Sequence, residues 1–243
     1  MNLKDDGTTV PVDTTMAAPR SPYTDPESIE FKFRARRFAG VRNLIEKVLA
    51  ERGRCDILDL GGTETYWRVG EDFIRRNRHK LHVTLVNIEV EPVRDHELFN
   101  FVPASATQPD LLGGQRFDLV HSNSLIEHVG DWSDMEKFAA NVRRLAPRYY
   151  VQTPNYWFAY EPHFRFPGFQ FLPERVRVEL LTRYSLGFFS RIEDRATAVD
   201  IVRHHRLLST RQMARLFPDG SMSHEKVFGL NKSILAIRDM PAG

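Results

Sequence analysis

Cys55-Asp56-Ile57-Leu58-Asp59-Leu60-Gly61-Gly62-Thr63-Glu64-Thr65 is the stretch on which the reading of this chain turns. Its first six residues form a short apolar run that stops at a glycine pair. That is the pattern of a strand buried in a parallel sheet. Gly61 and Gly62 allow a tight turn and let a ligand approach the main chain. Upstream, Phe38, Val41, Leu44, Ile45 and Val48 recur at helical spacing within 31–52, and Gly53 ends that helix. Downstream, 82–88, 117–121 and 148–152 read as strands, the last stopped by Pro154. Helical stretches lie between them at 66–76 and 132–145. Ser133-Asp134-Met135-Glu136 gives the second a capping-box pattern. Strand alternating with helix implies βαβ units and a parallel sheet covered on both faces.

The alternation breaks between 155 and 200. This region holds Tyr156, Trp157, Phe158, Tyr160, Phe164, Phe166, Phe169 and Phe171, with Pro162, Pro167 and Pro173. It reads as an aromatic insertion, 155–208, that acts as a lid or shapes a substrate pocket. A helix at 209–217 follows, capped by Ser209 or Thr210. Strands at 225–228 and 233–237, joined through Gly229, suggest an antiparallel edge. Residues 1–28 are rich in Thr, Pro, Asp and Ser and read as a disordered or loosely packed arm, so that one domain occupies 29–243.

The net charge of +2 argues against a nucleic-acid partner, and one cysteine, Cys55, excludes a disulfide scaffold. No apolar run is long enough to span a membrane, and no hydrophobic stretch follows Lys4. The expectation is a soluble cytoplasmic protein.

In an open α/β sheet, ligands bind beyond the carboxyl ends of the strands. The first strand ends in the Asp59–Thr65 turn and the second in Asn87-Ile88-Glu89. The third ends in Ser122-Asn123-Ser124, followed by Leu125-Ile126-Glu127-His128. Glu89 can accept hydrogen bonds from a ribose diol, and Asn87 can donate or accept. G-x-G-x-x-G is absent, which argues against a dinucleotide-dependent oxidoreductase.

This order of strand ends resembles that of class I S-adenosylmethionine-dependent methyltransferases. It is most similar to their small-molecule branch, which includes the ubiquinone-biosynthesis and type 11 enzymes. The resemblance covers about 30–155, and the closing strands fit the same fold. It implies a doubly wound, Rossmann-like α/β fold with a seven-stranded, mostly parallel sheet and an antiparallel C-terminal edge strand. It also implies S-adenosyl-L-methionine as cofactor. Asp59 would order the glycine turn and help hold the methionine amino group. Gly61, Gly62 and Thr63 would line the cofactor, Asn87 or Glu89 would bind its ribose, Ser105 and Ala106 its adenine, and Asn123 and Ser124 would touch it from the next strand. The pattern departs from the family at four positions. Thr63 and Thr65 stand where later glycines are common, and Asn87 and Ser105 stand where Asp is common.

Two histidines are candidates for proton acceptance, His128 in the Ile126–Val129 stretch and His163 between Pro162 and Phe164. Metal-dependent relatives carry Glu-x-x-Glu-His. Here Ser124 replaces the first Glu, so no metal is expected. His204-His205 reads as surface, and Arg34, Arg36 and Arg37 as a solvated helix face. The acceptor reads as a small molecule. Ten arginines and no lysine between 163 and 215, against five acids, would suit an anionic one, although 27 of the 34 cations are arginine throughout. A catalytically silent relative that binds cofactor or a partner chain is the other reading that the altered glycine turn keeps open.

Overall fold

The computed structural model describes residues 25–240. Most of the expected N-terminal arm therefore lies outside the described residues. Helix α1 (Ile29–Arg52) opens on Ser28, whose hydroxyl accepts from the Phe31 amide, and closes on Gly53 in the left-handed conformation. Strand β1 (Cys55–Leu60) follows. The next helix is in two pieces, α2 (Glu64–Trp67) and α3 (Glu71–Asn77), separated by a 3-10 turn at Arg68–Gly70. The break falls at Gly70, where any Cβ would run into the Phe38 ring of α1.

Strand β2 (Leu81–Asn87) is followed by β3 (Phe99–Pro103), which the sequence reading missed. Asn100 and Pro103 blur its alternation, and as an edge strand it needs only one neighbour. Then come β4 (Leu119–Asn123), helix α4 (Trp132–Leu145) and β5 (Arg148–Pro154). The cap of α4 is Asp131, which exchanges hydrogen bonds with Asp134, so the Ser133 capping box is displaced by two residues. Ser133 itself sits inside the first turn.

The insertion contains a ribbon of β6 (Tyr160–Glu161) and β7 (Phe166–Pro167), then helices α5 (Glu174–Arg183) and α6 (Arg195–His204). Helix α7 (Thr210–Leu216) has Ser209 and Gln212 as its capping box. Strands β8 (Ser221–Val227) and β9 (Leu230–Asp239) close the domain.

The seven-stranded sheet runs β3-β2-β1-β4-β5-β9-β8. Its first five strands are parallel, and β9 runs antiparallel to both β5 and β8. The expected antiparallel edge is thus the β8–β9 pair, with β8 outermost. Strand order reverses between β1 and β4, which makes the carboxyl ends of those strands the expected ligand crevice.

Two apolar layers sandwich the sheet. On one face Phe38, Val41 and Ile45 of α1 pack with Trp67, Phe73 and Tyr150. On the other Phe138, Val142 and Leu145 of α4 pack with Met213 and Phe217. The insertion has a third cluster of its own, built on Phe164, Phe169, Val178, Leu181, Ala198 and Val202. The buried Arg148 guanidinium is held between Glu51 (2.6 Å) and Asp239 (2.9 Å), tying α1, β5 and β9 together. Among the described residues, no helix is long and apolar enough to cross a membrane.

Gly70→Ala should lower stability by about 1–3 kcal/mol, because the added methyl must displace the Phe38 ring. Thermal unfolding checks this, and an unchanged midpoint would show that the α1–α3 contact is not tight.

Candidate active site

The turn after β1 is shaped from below. Asp59 is buried, and both of its carboxylate oxygens are engaged. One accepts from the Trp67 indole N–H (2.9 Å) and the other from His121 Nδ1 (2.7 Å). A carboxylate only accepts, so His121 carries its proton on Nδ1, and its Nε2 is buried without a partner. Gly62 lies directly over Asp59, and a Cβ there would strike the carboxylate. Gly61 has φ +73°, and its amide donates to the Val86 carbonyl (2.7 Å). A Cβ on Gly61 would approach the Leu125 side chain to 2.8 Å. The two glycines are therefore required by neighbours as well as by the turn. Thr63 caps α2, but its hydroxyl makes no capping bond.

The other expected cofactor residues line the same edge of the sheet. Asn87 ends β2. Its side-chain oxygen accepts from the Glu89 amide (3.2 Å) and its carbonyl from the Ala104 amide (3.2 Å). Glu89 is exposed, as are its neighbours Ile88 and Val90. Ser105 shares a hydrogen bond with Thr107 (2.8 Å), and the Ala106 carbonyl is held by Asn141 (2.9 Å). At the end of β4, Ser124 takes φ +54° and donates from both its hydroxyl and its amide to Gln152 of β5. The side-chain oxygen of Asn123 is buried without a hydrogen-bond partner. A buried amide oxygen left without a partner calls for an explanation, and a ligand donor would be one.

A second constellation lies beyond β4 and β5. Glu127 is fully buried, one oxygen accepting from Thr153 (2.9 Å) and the other unpartnered. Burial, against the opposing charge of His163, pushes its carboxyl above the usual range. The His128 ring is 4.7 Å from the His163 ring and 4.8 Å from the His205 ring, and His163 and His205 are 5.2 Å apart. Burial, with His163 and His205 beside it, pushes His128 down to about 3, so its imidazole is neutral near neutral pH. Burial also lowers His163, but the hydrogen bond and charge of Glu161 outweigh it and the net direction is up. Glu161 grips His163 Nδ1 (2.7 Å) and the Phe164 amide (2.6 Å) together.

The two histidines expected as proton acceptors, 35 residues apart in sequence, are thus neighbours. Two expectations are corrected. His205 is packed against both of them and is not a surface residue, because the turn after α6 brings it in; His204 alone stays exposed. Arg37 is buried in an ion pair with Glu225 (3.0 Å) and does not belong to a solvated face. Trp67, His121, Thr153 and Glu161 hold the site residues in place, and no local motif marked the first three. Among the described residues, Glu127, His128 and His163 offer ligating atoms within 4.8 Å of one another, although no metal was expected.

No family model and no curated protein matches the sequence. Solved structures do match the fold. The N-terminal domain of EvdMO1, solved with SAH bound, is 16% identical, with 86% of this chain and 81% of that one covered at a TM-score of 0.50. An O-methyltransferase family protein from Burkholderia thailandensis is 15% identical at a TM-score of 0.47, covering 92% of this chain. The chain spans 66% of that protein's length. The 1,6-didemethyltoxoflavin-N1-methyltransferase of the same organism, solved with its substrate and S-adenosylhomocysteine, is 17% identical over 95% of this chain and 94% of that one (TM-score 0.44). At these identities the likeness is one of fold: the chain has the seven-stranded architecture of S-adenosylmethionine-dependent methyltransferases.

Asp59→Ala should leave Trp67 Nε1 and His121 Nδ1 buried and unpaired, costing about 1–3 kcal/mol for each orphaned group. Urea unfolding measures the loss. Native stability in the variant would remove Asp59 as the support of the glycine turn.

Proposed function

We propose that the chain is an S-adenosylmethionine-dependent methyltransferase acting on a small-molecule acceptor through oxygen or nitrogen. The observation that carries this reading is the edge formed by β1, β2 and β4. There a glycine turn seated on Asp59, the Asn87–Glu89 strand end and the end of β4 at Asn123 lie at the carboxyl edge of one parallel sheet, where its strand order reverses. These residues fit the cofactor. Gly61 and Gly62 carry no side chain that would stand between the turn and a ligand. Asn87 and Glu89 supply acceptors for a ribose diol, Ser105 and Ala106 flank the place expected for the adenine, and Asn123 can accept from an amino group. When bound, the sulfonium supplies an activated methyl with a neutral thioether leaving group.

What remains for the chain is to place the acceptor in line with that methyl, roughly 3 Å from it, and to exclude water. We assign this to His128 and His163 and to the insertion that carries His163. The Phe164–Phe169 stack (4.1 Å) gives that segment a rigid apolar floor. The Glu161 hydrogen bond fixes the His163 ring, leaving its other nitrogen free. Near-zero net charge and the aromatic insertion favour a small acceptor over a nucleic acid, and the lack of an apolar spanning helix among the described residues fits a cytoplasmic enzyme. Thr63 and Thr65, in place of glycines, favour a second reading in which the chain binds the cofactor without turning it over.

Calorimetric titration tests the class. S-adenosylmethionine and S-adenosylhomocysteine should bind at micromolar concentration and NADH should not; failure of both sulfur ligands would contradict the reading. His163→Ala should cut turnover by about 10²–10⁴-fold while cofactor affinity survives. Unchanged turnover would remove His163 from the acceptor site. Cofactor binding with no turnover over a broad acceptor panel would favour the silent reading.

A further inference from the structure

The cluster beyond β4 and β5 has the makings of a metal centre. Glu127 is wholly buried, yet one carboxylate oxygen has no hydrogen-bond partner. A buried, half-satisfied carboxylate is costly unless it is neutralised or meets a cation. Two imidazoles, His128 and His163, present ligating atoms within 4.8 Å of it and of each other. A third, His205, packs edge-on against both.

The outer contacts point the same way. A metal-bound histidine ordinarily donates its other ring N–H to a carboxylate or a backbone carbonyl. His163 Nδ1 is hydrogen-bonded to Glu161 (2.7 Å), and His205 Nδ1 donates to the Ile201 carbonyl (2.7 Å). A carbonyl cannot donate, so in neutral His205 the free lone pair lies on Nε2, and the Glu161 bond favours the same tautomer in His163. Thr153 anchors the remaining Glu127 oxygen (2.9 Å). Every side chain of the set except His128 is therefore oriented by an outer hydrogen bond.

We propose that Glu127, His128 and His163 bind one divalent transition-metal ion, with His205 flanking it. Two imidazoles and one carboxylate form a borderline donor set that suits zinc, and three protein ligands leave a position open. An all-oxygen cation such as magnesium fits poorly, because only one ligand is a carboxylate. The open position would take an oxygen or nitrogen of the methyl acceptor. The acceptor class is thus narrowed to molecules whose reacting atom can ligate a metal, such as a hydroxyl or phenol. This last step rests on the methyltransferase reading, whereas the ion site itself does not.

Full-length protein stripped with chelator should take up Zn²⁺ at one ion per chain by calorimetry and elemental analysis, and Mg²⁺ should not compete at millimolar concentration. Co²⁺ in place of zinc should give the intense visible absorption of a four- or five-coordinate site. Glu127→Gln and His163→Ala should each weaken zinc binding roughly 10–100-fold or more. S-adenosylhomocysteine binding in the same variants reports that they are folded. No stoichiometric uptake, or uptake that neither variant changes, would overturn the ion site. Zinc binding without any binding of S-adenosylhomocysteine to the wild-type chain would leave the ion site standing and remove the methyltransferase reading.

Discussion

The buried Asp59 carboxylate is the constraint on which the site rests. Its two oxygens join the indole of Trp67, on the helix that follows, to the imidazole of His121, on the neighbouring strand. One side chain thereby locks β1, α2 and β4 in a fixed relation at the strand-order reversal, the place where an open α/β sheet binds ligands. The same carboxylate leaves no room for a side chain at 62, so the glycine turn lies flat over it. With both oxygens occupied, Asp59 acts by setting the course of the main chain. Under the proposed cofactor reading, the backbone above it, together with Asn87, Glu89 and Asn123, would meet the ligand.

The insertion applies the same logic at the acceptor end. Its separate apolar cluster lets it hold a shape of its own, and the Phe164–Phe169 and Phe164–Phe189 stacks fix the segment next to His163. Glu161 links that segment's backbone to the His163 ring. The turn after α6 delivers His205, and the Arg206 amide donates to the Glu127 carbonyl (3.1 Å). Two regions 35 residues and more apart are in this way brought against a single buried carboxylate. The methyl donor would be held by the sheet and the acceptor by the junction of sheet and insertion.

The parts of this arrangement that were readable in the sequence are those set by local rules. Apolar runs gave β1, β2, β4 and β5 to within about two residues, and the spacing of Phe38, Val41 and Ile45 gave α1 together with its Gly53 stop. Strand β3 escaped because an edge strand with Asn100 and Pro103 carries little alternation. The α2–α3 break escaped because the need for Gly70 comes from Phe38, 32 residues earlier. The strand-end residues were found in sequence order, but their partners, Trp67, His121 and Thr153, are chosen by packing across the sheet. His205 looked like a surface residue for the same reason: nothing near it in sequence says that it meets His128.

The most direct test of the account is a crystal structure of the chain with S-adenosylhomocysteine. The ligand should lie over the Gly61–Gly62 turn, with its ribose at Asn87 and Glu89, its adenine beside Ser105 and Ala106, and Asp59 still held by Trp67 and His121. Ligand density on another edge of the sheet, or an Asp59 carboxylate swung away from His121 to grasp the ligand, would contradict it.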